Sequence, residues 1–355
     1  MQNIIEQFSE AIRQAAAKRQ PLRLGGSGSK DFYGGSLSGT VLDVRPCRGI
    51  VSYEPKELVL TARAGTTLVE IETLLAENGQ MLPFEPPHFG ADATLGGCIA
   101  AGLSGPRRAY QGAARDFVLG VRMLDGRGDL LTFGGQVMKN VAGYDVSRLQ
   151  VGAMGTLGLL LEISLKVLPR PVAETTLRFD MDQVQALDAM NRWAGQALPL
   201  SASCHYDHAM TIRLSGAASA VQAARLKLGG TVIEEGGQFW RGLREQTHDF
   251  FGAEMSLWRL SLPSTAQPLV LPEKSPATQL IEWGGALRWC KTRADALTVR
   301  TVAEAAGGQA TLFRGADKPA GAFHPLPVAL LEIHRKLKQT FDPHGVFNIG
   351  RMYGF

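Results

Sequence analysis

The sequence predicts an α+β chain built in three pieces, and three observations carry that reading. Short strand-like runs in the first half sit among glycine-rich loops, and 24 of the 41 glycines lie between residues 25 and 158. Pro169 and Pro171 then punctuate the chain. Beyond them the texture changes to strand-like pieces alternating with helical ones, and all five tryptophans lie there. The pieces are residues 1–172, 173–322 and 323–355. At about 150 residues per domain, 355 residues suit roughly two domains, enough to bury a sizeable core.

Residues 3–17 place Ile4, Ile5, Phe8, Ile12 and Ala15 at helical spacing, which predicts an amphipathic first helix. PLRL follows as a short strand and ends in the loop GGSGSK, residues 25–30. Strands are expected at 41–44, 50–53 and 58–64. TLVEIETLLAENG reads as a helix: Thr67 and Glu70 make a capping-box pattern, Leu68, Ile71, Leu74 and Leu75 share a face, and Gly79 ends it. Residues 81–115 hold few periodic signals and many Gly and Pro. Residues 117–124 and 129–133 flank the turn Asp125-Gly126-Arg127-Gly128 as a hairpin. Residues 155–168 read as one long, mostly apolar strand.

After the prolines, strands are expected at 176–179, 211–214, 257–262 and 280–283, and helices at 184–194, 219–228 and 294–306. PSTAQPLVLPEKSP, residues 263–276, reads as a surface loop. A last helix near 327–341 precedes DPHGVFNIGRMY, whose turn chemistry is too dense for a frayed tail.

Composition excludes several classes. The 37 Lys plus Arg against 33 Asp plus Glu leave a net charge of +4 with no block of like charges, so nucleic acid and polybasic membrane binding have no support. Cys47, Cys98, Cys204 and Cys290 lie far apart without a C-x-x-C pair. That argues against a disulfide framework, and against a zinc or iron–sulfur centre built by this chain alone. The first 20 residues have no basic n-region and are interrupted by Glu6 and Glu10, unlike a signal peptide. With dispersed thiols, the expectation is a reducing cytoplasm. No apolar run approaches the ~20 residues needed to span a bilayer.

Three clusters point to chemistry. In RLGGSGSK, Gly25, Gly26 and Gly28 let successive N–H groups face one concavity, and Ser27 and Ser29 add hydroxyls. That is the chemistry of a pyrophosphate cradle, with a tight structural turn as the alternative. A side chain at Gly26 is expected to enter the space of the diphosphate. A Rossmann fingerprint needs a helix directly after the loop, and turn-rich FYGGSLSG follows instead; the Walker spacing also fails. The second cluster, residues 86–105, contains Thr94, Gly96, Gly97, Ala100, Ala101 and Gly102, small enough for close approach of a flat ligand or of another helix. The third, GGQVMKNVAGYDVSRLQVGAMGTLG, again leads polar turns and glycines into a strand.

Together these clusters resemble the FAD-binding domain of the vanillyl-alcohol-oxidase (PCMH-type) flavoproteins. That family runs from a Gly/Ser loop after a strand to T-[IVL]-G-G, K-N-x-x-G-Y-D and G-x-x-G-T-L-G. Here these fall at 25–29, 94–97, 139–145 and 152–158. The ending Asn348-Ile349-Gly350-Arg351 is similar to the family's N-P-G-[KR], with Ile349 replacing proline. Longer stretches, among them MLPFEPPHFGADATLGG and IEWGGALRWCK, resemble the FAD-binding subunits of bacterial glycolate oxidases across nearly the whole chain.

The resemblance implies a two-lobed FAD-binding domain over residues 1–172, an α/β cap with an antiparallel sheet over 173–322, and a C-terminal segment returning to the FAD site. It implies FAD contacts at Gly25, Gly26, Ser27, Gly28, Ser29, Pro86, Thr94, Gly96, Gly97, Ala101, Gly105, Gly158, Leu160 and Asn348. Covalent members carry a histidine where this chain has Ser27, so non-covalent FAD is expected. The implied setting is a complex with a larger flavin subunit and an iron–sulfur subunit that oxidises glycolate to glyoxylate. The chain would be cytoplasmic, with any attachment to the inner face of the membrane made through those partners. The alternatives are an autonomous FAD-dependent 2-hydroxy-acid or alcohol dehydrogenase, and a structural subunit with a vestigial flavin site.

No H-x-G-D-G-N-x-H stretch, the metal- and substrate-associated motif of catalytic relatives, is present. His205 and His208 are expected on opposite strand faces, so no metal site is assigned. Arg107 and Arg108 are candidates to hold a substrate carboxylate, or else form salt bridges; Tyr110 lies close by. His88 is a candidate base or an ordinary loop hydrogen-bonder. Lys139 either places charge near the flavin or pairs with a carboxylate. Trp283 and Trp289 read as cap core.

Overall fold

The computed structural model describes residues 2–135, 145–252, 255–272, 277–315, 318 and 321–354. Two compact units emerge: Met1–Leu103, Ala113–Pro169 and Pro325–Phe355 form one, and Ser104–Gly112 with Arg170–His324 form the other. The architecture is α+β, with helices packed on antiparallel sheets.

The first unit is built around a five-stranded antiparallel sheet in the order Ile50–Glu54, Val59–Arg63, Leu159–Lys166, Val118–Leu124, Leu130–Gly134. Its central strand, LLLEISLK, opens on an apolar run because it serves two cores. Leu160, Ile163 and Leu165 pack with Leu60, Ala62 and the helix Leu68–Glu77. Leu159 and Leu161 pack with Ile5, Phe8, Ile12 and Ala15 of the first helix, Gln2–Lys18. A second, small sheet pairs Leu22–Gly25 in parallel with Thr40–Asp43. Phe347 makes a parallel bridge to Leu22 on the same strand.

Some local expectations needed correction. The region 81–115 holds three short helices, Leu95–Ala101, Arg108–Gln111 and Ala114–Phe117. In the first, LGGCIAA, Leu95, Cys98, Ile99 and Ala101 are buried, and only small residues fill the remaining positions. A Cβ at Gly96 would lie 2.8 Å from that of Ala64. Only half of the capping box forms: Thr67 Oγ1 accepts from Glu70 N at 3.2 Å, while the Glu70 carboxylate lies 3.4 Å from Arg48. The strand expected from 155 starts at Leu159, after a turn.

The second unit holds an eight-stranded sheet, antiparallel in every pairing. Its order is Thr231–Val232, Ala173–Asp180, Ala209–Gly216, Leu200–Tyr206, Ala277–Glu282, Leu287–Thr292, Ser256–Ser261, Gln309–Arg314. Leu177, Met210, Ile212 and Leu214 pack against the helices Gln183–Ala194 and Ala218–Leu228. Trp258, Leu260 and Leu312 pack against Ala296–Ala305. Part of the stretch read as a surface loop, residues 273–276, lies outside the described residues. Among the described residues no helix is long and apolar enough to cross a membrane.

Candidate functional site

The first unit contains an open cleft that holds about 120 Å³ of water-accessible volume. Three segments and the C-terminal residues build its wall. Gly25, Gly26, Ser27, Gly28 and Ser29 supply the loop; Thr94, Gly96, Gly97 and Ala101 supply the start and end of the helix Leu95–Ala101; Gly158 and Leu160 open the central strand; and Asn348 comes from the C-terminal segment. Pro86 and Gly105 do not line it. Pro86 is buried in its own loop, and the Gly105 carbonyl accepts the Trp283 indole N–H at 3.0 Å in the second unit.

The loop geometry suits an oxyanion. Gly28 sits at φ +76°, where a side chain is strained, and Ser29 N–H turns back on Ser27 Oγ at 3.4 Å. Among the described residues, the N–H groups of Gly26, Ser27 and Gly28 donate to no protein acceptor. Backbone donors left open in a cleft wall need a partner, and phosphate oxygens provide one. A Cβ at Gly26 would lie 2.6 Å from Thr94 Oγ1, the atom that accepts Gly97 N–H and caps the helix.

The C-terminal segment is fastened to this wall by side chains distant in sequence. Asn348 adopts φ +44°; its Oδ1 accepts Leu24 N–H at 2.8 Å and its Nδ2 donates to the Met154 carbonyl at 2.7 Å. Arg351, only 5% exposed, donates to the carbonyls of Lys30, Asp31 and Gly35 at 3.0, 3.0 and 2.6 Å. The approach to this segment is set by a buried ion pair, Lys338 Nζ to Asp342 Oδ2 at 2.7 Å. Lys338 also donates to the carbonyls of Thr156 and Phe347, and Asp342 accepts the N–H groups of Val346 and Phe347. Burial pushes the Lys338 ammonium below its ordinary pKa, with Asp342 opposing the shift.

The four candidate catalytic residues are divided between the units. In the first, His88 Nε2 lies 3.2 Å from Glu72 Oε1, and His88 is not part of the cleft wall. In the second, Arg107 is buried against the Glu174 carboxylate, which also accepts the Ser215 hydroxyl at 2.7 Å. The Arg108 guanidinium stacks 4.3 Å from the centroid of Trp283. Tyr110 donates to Ser203 Oγ at 3.4 Å, and burial pushes its phenol up. Lys139 lies outside the described residues, with the rest of its motif up to residue 144.

His205 is on a strand, its Nε2 3.0 Å from the Met181 carbonyl, but that strand ends at Tyr206 and His208 sits in the turn at φ +58°. The alternation of strand faces therefore does not govern this pair. Trp283 and Trp289 are buried, the latter donating to Glu282 Oε2 at 2.8 Å. Cleft-wall residues absent from the expected contacts include Lys30, Met154 and Arg351. Lys30 and Arg351 carried a signal, since they end the loop and the terminal motif.

The family described as "FAD binding domain" matches residues 4–134. Glycolate oxidase subunit GlcE of Escherichia coli (strain K12) is 52% identical over 344 residues, covering 97% of this chain and 96% of that protein. Glycolate oxidase subunit GlcD of Bacillus subtilis (strain 168) is 30% identical over 48% of this chain and 37% of its own length. Among solved structures, an alkyldihydroxyacetonephosphate synthase matches with a TM-score of 0.65 over 97% of this chain and 74% of its own, at 16% identity, a likeness of fold.

Proposed function

The chain belongs to the family of glycolate oxidase GlcE subunits, and from that membership we propose that it is the FAD-bearing subunit of a complex that oxidises glycolate to glyoxylate. The observation that supports this most is the cleft itself: the Gly/Ser loop, the Thr94 helix start, the Gly158 turn and Asn348 converge on one wall in the order the flavoprotein family uses.

FAD, when bound, supplies a hydride acceptor for the C2 carbon of a 2-hydroxy acid and a source of single electrons for an iron–sulfur partner. This chain's part is to hold it. The open N–H groups of residues 26–28 bind the diphosphate, small residues 96, 97 and 101 let the cofactor approach the backbone, and Asn348 and Arg351 lock the loop in place. No linking histidine stands in the loop, so binding is non-covalent. We assign the chain to the cytoplasm, with a larger flavin subunit and an iron–sulfur subunit as partners.

Within the complex the chain relays electrons or stabilises the assembly rather than oxidising substrate. His88 is engaged with Glu72, Arg107 with Glu174, Arg108 with Trp283 and Tyr110 with Ser203. A base must come within about 3 Å of the substrate hydroxyl, and a second group must hold the carboxylate; these side chains already serve other contacts. Acid precipitation of the purified chain tests the binding mode. Yellow flavin is expected in the supernatant, and colour retained in the pellet would overturn non-covalent binding.

A further inference from the structure

Lys30 ends the glycine loop and is only 8% exposed, which is uncommon for lysine. It lines the cleft beside Ser27, Gly28 and Ser29. Its ammonium reaches Ser29 Oγ at 3.4 Å and the His88 carbonyl at 3.1 Å, and lies 5.7 Å from the ring centroid of Phe89. On the same wall Arg351 clamps three carbonyls, and Asp31 is held by Arg23.

Two features give this position meaning. First, three neighbouring backbone N–H groups are open to the same cleft. Neutral donors orient a diphosphate, but a charged donor binds phosphate oxygens about twice as strongly. Second, the loop that carries His88 contains Glu85 at φ +45° and Phe89 at φ +55°. Non-glycine residues in that region persist only where the surroundings hold them. The Lys30 ammonium is one such hold, joining this loop to the glycine loop.

Resting on the FAD reading above, we propose that Lys30 is the cationic contact for the FAD diphosphate, and that its bond to the His88 carbonyl fastens the 83–90 loop beside the cradle. The charge then raises affinity for the diphosphate specifically.

The test titrates the apoprotein with FAD and with riboflavin, which has the same ring system and no diphosphate, at low and high ionic strength. Lys30→Gln keeps a hydrogen-bond donor without charge, Lys30→Met keeps neither, and Lys30→Arg keeps the charge. Thermal unfolding of each apo variant checks that it is folded. Gln and Met are expected to weaken FAD binding by about 10- to 100-fold, the scale of a lost charged hydrogen bond. They should also flatten its salt dependence and leave riboflavin binding unchanged, while Arg recovers part of the FAD affinity. Unchanged FAD affinity in folded Gln and Met variants overturns the proposal. So does an equal loss for both ligands, which would make Lys30 a scaffold residue. If the wild-type chain itself takes up no FAD, the cofactor reading fails first.

Discussion

At the scale of single residues, a side chain at Gly26 meets a protein atom that the sequence did not point to. The loop was legible as a candidate cradle because glycine and serine after a strand leave N–H groups open. The direction of residue 26 was not, because the atom it faces, Thr94 Oγ1, lies far along the chain. Gly26→Val therefore acts on Thr94. It should displace the hydroxyl that caps the helix Leu95–Ala101, an effect of about 1 kcal/mol for a lost cap, and misplace the loop as well. Flavin content, read as the ratio of visible to ultraviolet absorbance, should fall sharply, with a lower Tm. A folded Gly26→Val variant with full flavin content would contradict this. The thiols give a second prediction. All four cysteines are buried, and burial pushes Cys98 and Cys290 up to about 12 and raises Cys47 and Cys204 as well. At pH 8 they remain thiols, and the thiolate is the reactive form. Ellman's reagent should stay silent with the native protein and count four groups after denaturation; rapid native labelling would show the packing to be looser than described.

At the scale of elements, legibility followed periodicity. The first helix and the helix Leu68–Glu77 announced themselves through apolar spacing, and the hairpin through its turn. The helix Gly236–Glu245 did not, since GGQFWRGLRE opens on two poor helix formers and is held by tertiary contact, with the Trp240 indole on Thr176 Oγ1 at 3.0 Å. The strand Leu287–Thr292 was hidden by Arg288 and Lys291, both buried. The C-terminal segment was legible as ordered from turn residues alone, but not what fastens it. The Lys338–Asp342 pair and the Arg351 clamp link positions whose proximity only the fold creates. Removing residues 342–355 should lower flavin occupancy, because Asn348 and Arg351 leave the cleft wall. Lys338→Met is the finer probe. It strands Asp342, 2% exposed, without its cation, and breaking a buried pair costs about 3–5 kcal/mol. Thermal unfolding should show a large fall in Tm, accompanied by flavin loss. A Tm within a degree of wild type would remove the pair from any role in holding the segment.

At the scale of the whole molecule, the family was legible because several weak motifs occur in one order, and chance rarely reproduces order and spacing together. The division of labour within a complex was legible only in part: the missing histidine-rich motif favoured a relay or assembly role, but which side chains remain available for substrate could not be read from the sequence. Hydride removal from a 2-hydroxy acid needs a base at the hydroxyl and a holder for the carboxylate, both positioned to within a fraction of an ångström. In this chain the candidate holders, Arg107 and Arg108, are bound to Glu174 and stacked on Trp283, and the candidate base His88 is against Glu72. Freeing Arg107 would leave a buried guanidinium or its carboxylate unpaired, which is costly. The isolated, flavin-loaded chain is therefore expected to turn over glycolate poorly or not at all. Anaerobic stopped-flow mixing with glycolate reads this directly. The flavin absorbance near its visible maximum should persist in the isolated chain, and should bleach only when the partner subunits are present. Rapid, complete bleaching of the chain alone would refute the relay assignment and make the autonomous dehydrogenase the better reading, with Arg107 then required to exchange Glu174 for the substrate carboxylate.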